Sequence, residues 1–201
     1  MDEELRSLTE RLRAESGGSA AYDRLLATDD PDTLAGVLTE PGQPLWAREL
    51  AAFRLGLAGD RRAFEALVLL LNHRDPPRCA SAAHALARLG DPRTARAAAA
   101  LATNELRVAY ALHPVRLLTE LRAPEAVPAL ITTLRRRLRP HDPYRRVALA
   151  CVDGLGELGD PRAEPVLNDA LAHPALAEAA VRALTRIPRQ GGARGRVPGQ
   201  R

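Results

Sequence analysis

The chain has 201 residues, 46% of them hydrophobic but only 3% aromatic, so a sizeable core is available and must be built mainly from Ala, Leu and Val. The formal net charge is +4 and every one of the 29 basic residues is Arg. Cys79 and Cys151 are too few for a disulfide framework or a four-ligand zinc site, and the longest apolar run, Ala66 to Leu71, is far too short to cross a membrane.

Arg without Lys suits a genome rich in G and C, and it means that any binding surface here is built from guanidinium groups. The charge is uneven: −6 over residues 1–40, +4 over 41–134 and +6 over 135–201. A charged partner for the C-terminal half, or head-to-tail association, would each suit that gradient. The start, Met1-Asp2-Glu3-Glu4, is acidic and does not read as a signal peptide, so a cytoplasmic, reducing setting is expected.

In chain order, residues 2–15 predict an opening helix with one narrow stripe of Leu5, Leu8 and Leu12, as expected of a capping helix with a neighbour on one side only. Ser16-Gly17-Gly18-Ser19 ends it. Paired helices follow. First helices are expected near 20–28, 44–57, 77–89, 105–121 and 144–158; second helices near 31–39, 61–72, 92–103, 124–138 and 161–172; and a last helix near 174–187. The tail, residues 188–201, holds four Gly, two Pro and four Arg with no acid, and is expected to be disordered.

The pairs are set by a repeat. Leu89-Gly90-Asp91-Pro92-Arg93 recurs letter for letter as Leu158-Gly159-Asp160-Pro161-Arg162. Weaker copies place Asp30, Asp60, Asp91, Ala123 and Asp160 at steps of 30, 31, 32 and 37 residues. A period of that size means stacked supersecondary units. Within each turn Gly closes one helix in the left-handed region, Asp caps the next, and Pro takes its first position. The expected fold is all-α: a right-handed α-solenoid of about five antiparallel helix pairs over residues 20–187, after a capping helix and linker over 1–19.

The unit resembles HEAT repeats, in particular the short HEAT-like repeats also found in phycobilin lyases. Ala85-Leu86-Ala87-Arg88-Leu89-Gly90-Asp91-Pro92 and Gly154-Leu155-Gly156-Glu157-Leu158-Gly159-Asp160-Pro161 carry the resemblance at the turn, and Pro124 to Leu134 carries it in the second helix. It implies a fold far more than a function. It also implies a structural Arg–Asp ladder, with Arg twelve residues before the turn Asp; Arg48 and Asp60 fit, whereas Cys79, Ala111 and Ala148 stand at the later positions.

If second helices line the concave face, the inward residues are Arg62, Glu65 and Leu69; Arg93, Arg96 and Ala100; Glu125, Pro128 and Thr132; and Arg162, Pro165 and Asp169. Arg62, Glu65, Arg93, Arg96, Glu125, Arg162 and Asp169 are the candidate partner-binding residues, against the plainer reading of a solvated face with weak internal ion pairs. A second candidate is the basic patch Arg135, Arg136, Arg137, Arg139, Arg145 and Arg146, in the segment 135–146, which has one acid, Asp142, and makes its unit longer than its neighbours. Its plainer reading is a helix C-terminus favouring cations.

No catalytic, cofactor-binding or metal-binding motif is present. No His-Glu pair exists, and no Gly-x-Ser-x-Gly, phosphate loop or Cys-x-x-Cys occurs. Trp46 and the scattered Tyr22, Phe53, Phe64, Tyr110 and Tyr144 do not form the stacking platform of a HEAT-like DNA glycosylase. The sequence therefore leads to a non-enzymatic scaffold or adaptor that binds another protein, one with an acidic or helical segment. No cofactor, membrane or small-molecule ligand is expected. The alternatives are a nucleic-acid-binding module using the 135–146 cluster and the tail, or a HEAT-like lyase or glycosylase.

Overall fold

The computed structural model describes residues 3–188, with side chains from residue 5 onward. Twelve α-helices are found among them: α1 (Glu3–Glu15), α2 (Ala20–Ala27), α3 (Pro31–Thr39), α4 (Leu45–Leu57), α5 (Phe64–Leu71), α6 (Pro76–Leu89), α7 (Thr94–Thr103), α8 (Leu112–Leu121), α9 (Ala126–Arg137), α10 (Arg145–Leu158), α11 (Glu164–Leu171) and α12 (Ala177–Arg186). No strand occurs among the described residues. The expected tail lies outside them apart from Pro188.

The helices form two rows. The first helices α4, α6, α8, α10 and α12 each pack on the next, and each second helix α3, α5, α7, α9 and α11 packs on the first helix of the following unit. One continuous apolar core runs between the rows, from Leu8 and Leu12 to Ala183 and Ile187. This is an all-helical solenoid, as the repeat predicts.

The turns work as the pentapeptide implies. Gly90 and Gly159 take φ of 65° and 66°, a region that costs a residue with a Cβ about 1–2 kcal/mol. The Arg93 N–H donates to Asp91 Oδ1 at 2.9 Å, and the Arg162 N–H donates to Asp160 Oδ1 at 2.8 Å, so each Asp satisfies a helix-start amide. Where the motif degenerates to Leu121-Arg122-Ala123, Arg122 itself adopts the left-handed conformation, φ 51°.

Close approach of the first helices depends on small residues. A Cβ on Gly56 would lie 2.9 Å from Ala85 Cβ, one on Gly154 would run into Thr119 Oγ1, and one on Gly156 would lie 2.7 Å from Ala183 Cα. The second row is looser, with neighbours in extensive contact only at α7 and α9.

Three local expectations are corrected. The helix expected over 105–121 is broken: a 3-10 segment, Glu105–Tyr110, precedes α8, and Arg107 departs from helical geometry at φ −127°, ψ 23°. There Asn104 accepts from the Leu106 N–H at 3.0 Å, while the Arg107 guanidinium donates to Asn72 O at 2.6 Å and lies over the Tyr110 ring at 4.5 Å. Side-chain bonds outcompete the helix ladder. The second helices of two units begin with 3-10 turns, Arg61–Ala63 and Pro161–Ala163. The last helix starts at Ala177 rather than near 174, after a turn through His173 and Pro174.

Helix α1 is placed differently from an end cap. It lies against α4 and α6, on the first-helix row. Leu8 and Leu12 are buried, and Tyr22, the buried aromatic of α2, donates its hydroxyl to Thr9 O at 2.7 Å.

Candidate functional site

The second-helix residues picked out from the sequence are mostly engaged within the stack. Arg62 pairs with Asp60 of its own turn at 2.5 Å and with Asp32 of the preceding unit at 2.7 Å. Arg93 pairs with Asp91 at 2.9 Å and reaches back to Glu65 at 3.2 Å, its guanidinium 3.9 Å over the Phe64 ring. Arg162 pairs with Asp160 at 2.7 Å. These Arg hold the carboxyls of Asp60, Asp91 and Asp160 below the usual carboxylate range, chiefly through the side-chain hydrogen bond. Glu125 is half-buried at the start of α9, and Arg96 and Asp169 are exposed.

A ladder therefore exists, but in another register from the one the resemblance implies. Its Arg stands two residues after the turn Asp. Arg48 does not reach Asp60; its guanidinium donates to Glu40 O at 3.2 Å. The missed signal was local: an Asp-x-Arg triplet lets one side chain cap the backbone and clamp the guanidinium together.

The basic patch is not one surface. Arg136 pairs with Glu105 at 3.0 Å and donates to Thr103 O at 2.7 Å. Arg137 and Asp142 form a largely buried pair at 3.0 Å. Arg145 donates to Ala175 O at 3.4 Å. Arg135, Arg139 and Arg146 are exposed. Half of the cluster thus fastens the long turn to its neighbours.

A second charged group is fully structural. Glu49 on α4 is 1% exposed, and its carboxylate is held by Arg11 of α1 and Arg78 of α6 and accepts from Ser81 Oγ at 3.1 Å. Arg78 also pairs with Glu15 at 2.5 Å and with Asp75 at 3.3 Å. Helix α1 closes over this network, so the N-terminal half of the first-helix row is covered.

The same row is open further along. Between α8 and α10 runs a valley of about 480 Å3 walled by Leu112, Arg116, Thr119 and Glu120 on one side and Arg146, Leu149, Ala150, Asp153 and Glu157 on the other, with Gly154 in its floor. Next to it a smaller pocket of about 270 Å3 shares Leu112, Arg116 and Arg146, and adds Tyr110, His113, Pro143, Tyr144 and Val147. Together they fall in the size range of small-molecule sites. None of Arg116, Glu120, Arg146, Asp153 and Glu157 makes an ion pair with another described residue. Cys79 also faces the smaller pocket, but burial pushes its thiol up to about 11 and it donates to His73 O, so it is a poor nucleophile at neutral pH. Cys151 is fully buried and shifted the same way for the same reason. Among the described residues no cluster of His, Cys, Asp and Glu is arranged to hold a metal. No described helix is long and apolar enough to cross a membrane.

Only Arg146 of this valley was singled out from the sequence. The available signal was the polar stripe Arg116, Thr119 and Glu120 facing Arg146, Asp153 and Glu157, at helical spacing on the opposite side from the core leucines.

The architecture defines a class: an α-solenoid of helical hairpins with an open, charged valley on one row. Residues 147–173 match the family model of the PBS lyase HEAT-like repeat. Among solved structures, the complex of CpcE and CpcF of phycocyanin lyase from Nostoc sp. PCC7120 is similar, with a TM-score of 0.57 and 25% identity over 81% of this chain. This chain covers 66% of that chain's length. No curated protein matches the sequence significantly. The chain thus carries one matched HEAT-like repeat, and its all-helical fold is similar to that of the lyase complex. The expectation that it is not an enzyme is overturned by these matches, since the repeat family and the solved relative are both those of lyases.

Proposed function

We propose that the chain is a lyase-type solenoid that works with a second helical subunit, and that its substrate lies in the valley between α8 and α10. The observation that carries this reading is the valley itself, where two guanidinium and three carboxylate groups face open space without satisfying one another. The packing supports the choice of row. Helices in a curved stack crowd together on its inside, and here the first helices are the crowded row, seated on Gly56, Gly154 and Gly156. This reading takes the first-helix face as the inner one, where the sequence points to the second-helix face. The relative is a two-chain complex, which favours a protein partner for this chain as well. Arg96 and Asp169, exposed on the second-helix row, remain accessible to that partner.

Titration with biliverdin, a linear tetrapyrrole, tests the reading through the pigment's absorption band. A saturable spectral change is expected in the wild type, weakened by Asp153→Asn/Glu157→Gln and unaffected by Arg62→Gln/Arg93→Gln on the other row. No spectral change, or loss only with the second-row pair, would overturn it.

A further inference from the structure

Arg116 on α8 and Arg146 on α10 stand at the border of the two pockets and line both. Both are exposed, and neither is bonded to another described residue. Other guanidinium groups are folded into pairs, Arg62, Arg93 and Arg162 with their turn Asp and Arg137 with Asp142, while Arg88, Arg96, Arg135 and Arg139 make no ion pair among the described residues but line neither pocket. Glu120, Asp153 and Glu157 line the larger pocket with Arg116 and Arg146 but do not line the smaller one. The smaller pocket thus has two cations on its wall and no carboxylate.

Its remaining walls are apolar or aromatic: Tyr110, Pro143, Tyr144 and Val147. His113 sits half-buried in the same wall, close to both guanidinium groups. Burial first, and then the charges of Arg116 and Arg146, hold its pKa below the ordinary histidine range. The ring is therefore neutral at pH 7 and can donate one hydrogen bond. Two like charges flanking a neutral ring, beside an apolar wall, is an arrangement that a bound anion relieves and that a cation worsens.

We propose that Arg116 and Arg146 hold the carboxylate of a small molecule whose apolar body lies against Tyr110 and Tyr144. The proposal rests on reading this valley as the substrate site, and it names the chemistry of the end of the substrate that is held. The ligand is an amphipathic carboxylic acid, bound acid-end first between α8 and α10.

The test uses the full chain and a minimal acid, 1-naphthoate, with 1-naphthalenemethanol as its neutral counterpart. Binding is followed by the ring-proton signals of His113 in NMR spectra, at acid or alcohol concentrations up to about 10 mM. The acid is expected to bind about tenfold more tightly than the alcohol, the worth of a charge-assisted contact. Arg116→Gln/Arg146→Gln should remove that preference; both side chains are exposed, and an unchanged circular dichroism spectrum confirms the fold. Equal shifts with acid and alcohol, no shift with either, or a preference that survives in the variant would overturn the proposal. Biliverdin and its dimethyl ester form the second arm. Equal binding of the two pigments leaves the lyase reading standing and removes the clamp, whereas naphthoate binding without pigment binding does the reverse.

Discussion

Asp91 shows how much one residue does in this repeat. Its carboxylate caps the start of the second helix, receives the Arg93 guanidinium and is 6% exposed. Arg93 in turn ties the unit to Glu65 of the one before. The same Asp-x-Arg arrangement at Asp60 and Asp160 depresses those carboxyl pKa values too, mainly by the guanidinium hydrogen bond. A carboxyl with a lower pKa in the folded chain than in the unfolded one stabilises the fold above its unfolded value, near 3.9, and stops doing so as the pH falls through the folded value. The turn carboxylates are therefore expected to leave urea midpoints unchanged from pH 7 to 5 and to lower them below about pH 4, in addition to a shallower loss that begins near pH 6.5 from His113, whose pKa is also depressed in the fold. Asp91→Asn keeps a good capping residue but removes the titrating group, so its midpoint should fall less steeply on acidification. Asp91→Ala loses the cap as well and should cost about 1 kcal/mol at pH 7. An acid limb of equal steepness in wild type and Asp91→Asn would show that the turn carboxylates are not what acid removes.

At the scale of the element, the helices were legible and their assignments to a surface were not. The Leu-Gly-Asp-Pro-Arg turn states stop, cap and start within five letters, so the hairpins follow from local chemistry. Which row faces inward does not, because it depends on contacts between residues in different units, such as Gly156 against Ala183. The long-range ionic network was hidden for the same reason. Arg11, Glu15, Glu49 and Arg78 are spread over three helices, and nothing in their spacing brings them together. Their arrangement predicts a specific cost. Arg78→Leu leaves Glu49 buried with Arg11 and Ser81 as its remaining partners, and stability should drop by about 3 kcal/mol. Glu49→Leu/Arg78→Leu removes both the carboxylate and the guanidinium and should recover part of that loss. Amide exchange in α1 should quicken in the single variant, since the network joins α1 to α4 and α6 alongside the buried Leu8 and Leu12. A double variant less stable than Arg78→Leu, or unchanged exchange in α1, would contradict this account.

For the whole molecule, the governing fact is that each unit touches mainly its neighbours, so damage should stay near where it is made. Two glycines allow the comparison. Gly156 on α10 meets the backbone of Ala183 on α12, the last described helix, while Gly56 on α4 meets Ala85 on α6 inside the array. Substituting Ala at either position adds the same methyl group at a contact under 3.0 Å, and overpacking of that kind costs roughly 1–3 kcal/mol. In Gly156→Ala the strain can be relieved by lifting α12 from the end of the stack. Amide protection should then fall in α11 and α12 and stay unchanged in α4 to α7. In Gly56→Ala no such release exists, because α4 and α6 are each held on both sides, by α3 and α5 and by α5 and α8. The main urea transition should therefore move in Gly56→Ala and hold nearly still in Gly156→Ala. The α8–α10 valley lies next to the end unit, so Gly156→Ala should also weaken ligand binding there while the midpoint of the main transition stays put. Equal midpoint losses in the two variants, with exchange rising evenly along the chain, would mean that the array folds as one closed unit and that the open valley is not an independent feature of its C-terminal half.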